Sequence, residues 1–164
     1  MLKIIYIFLF ILLSFENVHA NTNIKFIDIE FLIQNSVEGQ TLIKELDKKK
    51  KDNLNLLKKK EDFLRSKEKE LQKKKNIITK DEFNKEVSEL RNDIDLFNKE
   101  RNKINDEFNQ NRLKKLSILI DEFNKVINNY IDNNSIDIVI DKKNLYMGKK
   151  SSDITSEILS KLNE

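Results

Sequence analysis

The sequence predicts an α+β chain in which a long antiparallel helical hairpin, a coiled-coil arm, projects from a small β-barrel-like body built from both chain ends. Three observations predict it. Apolar residues recur at heptad spacing through a middle that has no proline to interrupt a helix. A helix-start signal, Thr79-Lys80-Asp81-Glu82, sits in the midst of that stretch. Short strand-spaced apolar runs, Ile24–Asp28 and Ile136–Ile140, lie at opposite ends of the chain.

Composition narrows the function classes. Of 164 residues, 36% are charged and only 38% hydrophobic, so one ordinary core cannot run through the whole length. Two glycines are too few for phosphate-cradling loops. With no cysteine there is no disulfide, thiolate nucleophile or Cys-ligated zinc.

The first residues read as an export signal. After Lys3, Ile4–Phe15 is apolar except for Ser14, and Val18-His19-Ala20 is a cleavage pattern. Residues 1–20 are expected to be a signal peptide cut after Ala20; the alternative is an uncleaved N-terminal anchor. The apolar run is shorter than the roughly 20 residues of a spanning helix. Cleavage removes His19, the one histidine, and with it every Ser-His or Cys-His pair. The remaining carboxylates are scattered among lysines on helical patterns. The expectation is therefore no enzyme, no metal and no cofactor.

Within Asn21–Ser36, Ile24, Phe26 and Asp28 interleave with Lys25 and Ile27, as in a short, largely buried strand. Asp28 is placed to cap a brief helix through Ile29, Phe31, Leu32 and Ile33. Ser36 is the next N-cap, and Leu42, Leu46, Leu54, Leu57, Leu64 and Leu71 form the stripe of the helix it starts. Lys50, Glu61 and Glu68 dilute that stripe. The pattern breaks near Lys75–Thr79. Beyond the capping box, Phe83, Leu90, Phe97 and Ile104 hold one seam position; Val87, Ile94, Arg101 and Phe108 hold the other. The arm seam is thus Leu57, Leu64, Leu71, Phe83, Val87, Leu90, Ile94, Phe97, Ile104 and Phe108. A tip near 75–79 makes 37–112 a hairpin with arms of about 50 Å at 1.5 Å per residue. The alternative is one continuous rod.

Charge divides unevenly. Lys44–Lys75 carries 13 Lys and Arg65 against seven acids, net +7; Lys80–Arg112 carries seven bases against nine acids, net −2. A lysine-rich helix is commonly a solvated face. Read functionally, the surplus suits an acidic partner or an anionic lipid headgroup. Nucleic acid is not expected as a partner of an exported chain.

Past Leu113 the stripe widens: Leu116, Ile118, Leu119, Ile120, Phe123, Val126, Ile127, Tyr130 and Ile131 cover more than half the helix, which must be buried on several sides. After Asn133-Asn134, Ile136, Ile138 and Ile140 alternate with Asp137, Val139 and Asp141 in strand spacing. Leu145-Tyr146-Met147 reads as a further strand with Gly148 at a bend. Asp153 is an expected N-cap for a last helix carrying Ile154, Ile158, Leu159 and Leu162. Three short strands leave open edges and too small a core. Oligomerisation through Ile24, Phe26, Ile136, Ile138 and Ile140, with strands of several chains closing a barrel, resolves both problems.

Ile24-Lys25-Phe26-Ile27-Asp28, with Phe31 and Ser36-Val37-Glu38-Gly39, resembles the start of the Skp/OmpH-like periplasmic chaperones. Ser135–Asp141, Tyr146 and Ser152-Asp153-Ile154-Thr155 resemble that family's C-terminal signature. The resemblance implies a homotrimer, with 21–36 plus 113–164 as trimerisation body and 37–112 as arm. It implies an ATP-independent holdase that encloses unfolded outer-membrane β-barrel proteins in a cavity between the arms, in the periplasm. A lipopolysaccharide site proposed for the family has no match to positions here. The competing reading is a structural coiled coil of the envelope.

Overall fold

The computed structural model describes residues 22–164; the expected signal peptide and its cleavage after Ala20 lie outside them. The element order is β1 (Ile24–Ile27), α1 (Ile29–Asn35), α2 (Val37–Lys74), α3 (Lys80–Asn133), β2 (Ile138–Asp141), two 3-10 turns (Lys142–Asn144 and Lys150–Ser152) and α4 (Thr155–Leu162). Two long helices of 38 and 54 residues dominate.

Short polar side chains set the helix starts. Asp28 Oδ1 accepts from the Phe31 N–H at 2.9 Å and begins α1. Ser36 closes α1 and opens α2. Its N–H donates to the Leu32 carbonyl, and its fully buried Oγ accepts from the Gly39 N–H. The bend between the helices is tight. A Cβ on Gly39 would lie 1.9 Å from the Ile33 carbonyl oxygen, so only glycine fits there. At the other end of α2 the capping box forms as expected. Thr79 Oγ accepts from the Glu82 N–H, and the Glu82 carboxylate accepts from the Thr79 N–H and hydroxyl. These bonds hold the Glu82 carboxyl below its usual pKa.

The end of α3 carries no glycine. Ser135 takes a left-handed φ of 48°, and the Ile136 N–H reaches back to the Ile131 carbonyl at 3.2 Å. This is a Schellman arrangement, with Ile131 and Ile136 both packed at the core. Asn23 clasps the turn: its side-chain amide donates to the Ser135 carbonyl, and its backbone N–H to the Asp137 carboxylate.

The core joins the two chain ends. Ile27, Leu32, Leu42, Leu119, Phe123, Ile127, Ile136, Ile154 and Ile158 form one buried cluster. β1 and β2 pair in parallel, Ile24 with Ile138 through Ile27 with Asp141.

Three expectations are corrected. Leu145–Met147 is not a strand. The Asp141 carboxylate accepts from the Lys143 N–H and turns the chain into a 3-10 turn, after which Gly148 packs under the Phe26 ring and against the Leu145 side chain. Instead, the far edge of β1 makes one bridge to Asp153, through the Ile154 N–H to the Phe26 carbonyl. Asp153 is not the N-cap of α4; Ile154 holds that place. The Asp153 carboxylate accepts from the N–H and hydroxyl of Thr155, whose Oγ accepts in turn from the Asp28 N–H. Finally, Leu54 is exposed, because a seam step back from Leu57 and Lys60 falls on Lys50 and Asn53.

Candidate functional site

Two surfaces stand out: the outer face of the small sheet and the flanks of the α2–α3 pair. In a parallel register, paired residues share a face. Lys25 and Ile27, with Val139 and Asp141, occupy one face, and Ile27 and Val139 carry it onto the core. Ile24, Phe26, Ile138 and Ile140 occupy the other. On that outer face Phe26 is covered by the Gly148 segment, whereas Ile24 and Ile138 stay 45% and 46% exposed and Ile140 is partly covered. Tyr146 and Met147 are also exposed. Ile136 does not join this face. β2 starts only at Ile138, and Ile136 is sealed in the core by the turn at Ser135. β2 pairs only with β1 among the described residues, so its other edge is unpaired.

α2 and α3 lie antiparallel, tied along one edge by four ion pairs. Glu45–Lys115 and Lys60–Glu100 are followed by Lys67–Asp93 at 2.8 Å and Lys74–Glu86 at 2.9 Å. Each step along α2, 15 residues and then 7 and 7, is matched by an equal step back along α3. The register therefore holds over the whole ladder. One rung is missing. Seven residues before Lys60 stands Asn53, facing the level of Glu107, which turns to Lys103 on its own helix at 3.9 Å.

Between the helices the expected seam is thin. Leu71 is buried; Leu57, Leu64, Phe83, Val87, Leu90, Phe97, Ile104 and Phe108 are half-buried; Ile94 is exposed. Around Lys50 and Asn53 the seam lacks apolar contacts and the pair gapes on both sides. One cleft of about 710 Å³ lies on the ladder edge at the missing rung, lined by Asn53, Leu56, Lys103 and Glu107. Another of about 500 Å³ lies on the opposite edge, walled by Leu46, Leu54, Leu57 and Phe108, with Lys50 and Arg112 at its rim. A polar cleft farther along this open edge includes Arg65 and Arg101. The uneven charge of the two helices was legible in the sequence; its division between edges required the register.

Neither surface holds a group of metal-binding side chains among the described residues. No described helix is long and apolar enough to cross a membrane. At the end of β2 the Asp141 carboxyl has a shifted pKa. Partial burial pushes it up, but the Lys143 ammonium and N–H outweigh this and hold it below the usual range.

A profile of the family described as outer membrane protein (OmpH-like) matches residues 23–162. No curated protein sequence matches the chain. Among solved structures, a candidate outer membrane chaperone (OmpH-like) from Caulobacter crescentus CB15 is similar, with a TM-score of 0.79 at 18% identity. The match covers 92% of this chain and 90% of that one. At such low identity the likeness speaks for the fold.

Proposed function

Since the chain belongs to the OmpH-like outer membrane protein family, we propose that it is an ATP-independent holdase of the periplasm. It binds unfolded outer-membrane β-barrel proteins and prevents their aggregation. One observation carries this reading: a long pair of helices with a thin seam and surplus positive charge emerges from densely packed chain ends. A holdase needs many weak contacts rather than a deep pocket, and a lightly buried pair can flex around clients of different size.

In this reading, residues 21–36 and 113–164 are the body and 37–112 the arm. Three copies join through the open sheet face at Ile24 and Ile138 and the free edge of β2, and export removes residues 1–20. The number three comes from the family resemblance. Clients are enclosed between the arms, where confinement raises effective concentration without tight contacts. The surplus lysines attract acidic clients, and an anionic lipid or lipopolysaccharide is a secondary partner. No enzymatic role is proposed, since residues 22–164 contain neither histidine nor cysteine.

The ion-pair ladder also suits a second reading, a rigid spacer of the envelope. The deciding experiment dilutes a urea-unfolded outer-membrane barrel protein into buffer with a stoichiometric amount of this protein and no nucleotide. Light scattering should stay low; scattering equal to that of the client alone would leave the spacer reading.

A further inference from the structure

The two edges of α3 differ in a way that charge totals conceal. Glu86, Asp93, Glu100 and Glu107 recur every seven residues on the ladder edge, and α2 supplies Lys60, Lys67 and Lys74 to the first three. Arg91, Asn98, Asn105 and Arg112 recur with the same period, and the clefts of the open edge are lined by the last three. No member of this second column joins an ion pair or a side-chain hydrogen bond among the described residues, in contrast to the first. Beside it lies the 500 Å³ cleft, where Leu54 is 57% exposed against an apolar wall.

We propose that this open-edge cleft is the client grip: an apolar side chain of an extended, acidic polypeptide enters beside Leu54, while its carbonyl and carboxylate oxygens take the donors of Asn105, Arg112 and Lys50. The proposal rests on the holdase reading and assigns it a place. The chemistry favours a polypeptide over a dense polyanion. Asn offers both a donor and an acceptor and so matches a peptide group, while Arg matches a carboxylate in bidentate fashion. Nucleic acid or a multiply phosphorylated lipid would call for cations throughout. Half of this column is neutral, and Asp47 lines the same cleft. The rim, Lys50 and Arg112 against Asp47, keeps one net positive charge, enough to favour acidic segments. Contacts this exposed are individually weak, which lets a folding client leave.

The molecule contains its own control. Leu56 is also exposed, at 44%, but lies at the cleft of the ladder edge. A photo-crosslinking residue is placed at Leu54 or at Leu56 in the exported protein, and a urea-unfolded outer-membrane barrel protein is the probe. Labelling should be several-fold stronger from Leu54. Leu54→Ser should weaken binding of that client about tenfold, the equivalent of losing one apolar side chain's burial, while Leu56→Ser stays within twofold. Circular dichroism should show both variants folded, since both sites are on the surface. An extended peptide alternating valine with aspartate should compete for the Leu54 label, and its valine–lysine counterpart should not. Equal labelling from the two sites overturns the proposal. So does competition by DNA or phosphatidylglycerol vesicles stronger than that of the acidic peptide. Suppressed aggregation without a label at either leucine overturns the grip and leaves the holdase. Failure of the unmodified protein to suppress aggregation overturns both.

Discussion

The core at the chain ends and the helical middle share one helix, α3, yet they are built to different standards. From Leu119 to Ile136, α3 and its cap bury Leu119, Phe123, Ile127 and Ile136 against α1, α4 and the sheet. Between Leu42 and Leu119, only Leu71 is buried. Local stability follows burial, so the ends should hold the fold while the middle opens readily. In the proposed function the helical pair wraps around clients of varied shape, and a two-in-seven seam supported by surface ion pairs would be suited to yield. Such pairs contribute little each, and salt weakens them.

Four measurements can break or sharpen this contrast, from the largest effect to the smallest. Phe123, 1% exposed, fills the core; Phe123→Ala should cost about 3–5 kcal/mol in chemical denaturation. Phe97→Ala in the half-buried seam should cost about 1 kcal/mol. Equal costs would show the middle to be as well packed as the ends. Gly39→Ala comes next. Its Cβ meets the Ile33 carbonyl first, which is backbone, and then the fully buried Ser36 hydroxyl, so an overpacking loss of about 1–3 kcal/mol is expected. Gly148→Ala meets the Phe26 ring and the Leu145 side chain and should lose less. A melting series that ranks them the other way would refute the account of the α1–α2 bend.

Ser135→Gly should stabilise the chain by about 1 kcal/mol, by relieving a side chain held at positive φ. Unchanged or lower stability would mean that Ser135 makes a compensating contact. The smallest effect belongs to the capping box. The Glu82 carboxyl is held below its usual pKa by Thr79. Its contribution is therefore complete above the unfolded value, about 4.3 for glutamate, and is lost as pH falls through the lower folded value. Amide exchange at the start of α3 should speed up, relative to intrinsic rates, as pH drops through that range. The start of α2, capped by the uncharged Ser36, should not follow. Parallel behaviour of both caps would place the pH effect elsewhere.

Most helix boundaries were legible because short-range chemistry writes them. A side-chain oxygen caps an N–H two or three residues on, whatever the rest of the fold does, so Asp28, Ser36 and Thr79 announced their helices. Asp153 misled because the same carboxylate can accept from the N–H two residues on in a turn instead. The open sheet face was legible only in part. Alternation grouped Ile136 with Ile138 and Ile140, but the Schellman turn at Ser135, a residue without glycine's signature, delays the strand and sends Ile136 inward.

The sequence by itself determined the helical pair, its start and stop, the thin seam and the apolar ends, since period and capping are local properties. The tertiary structure decided what depends on register and on meeting across long separations. Among these are the parallel pairing of β1 with β2 and the bridge to Asp153 in place of a strand at Leu145. The division of α3 into a paired edge and an open one belongs with them. Such features turn on which residue faces which across separations that run from 12 positions for Lys74 and Glu86 to 114 for Ile24 and Ile138. A one-residue shift would change every partner while leaving the pattern along the chain untouched.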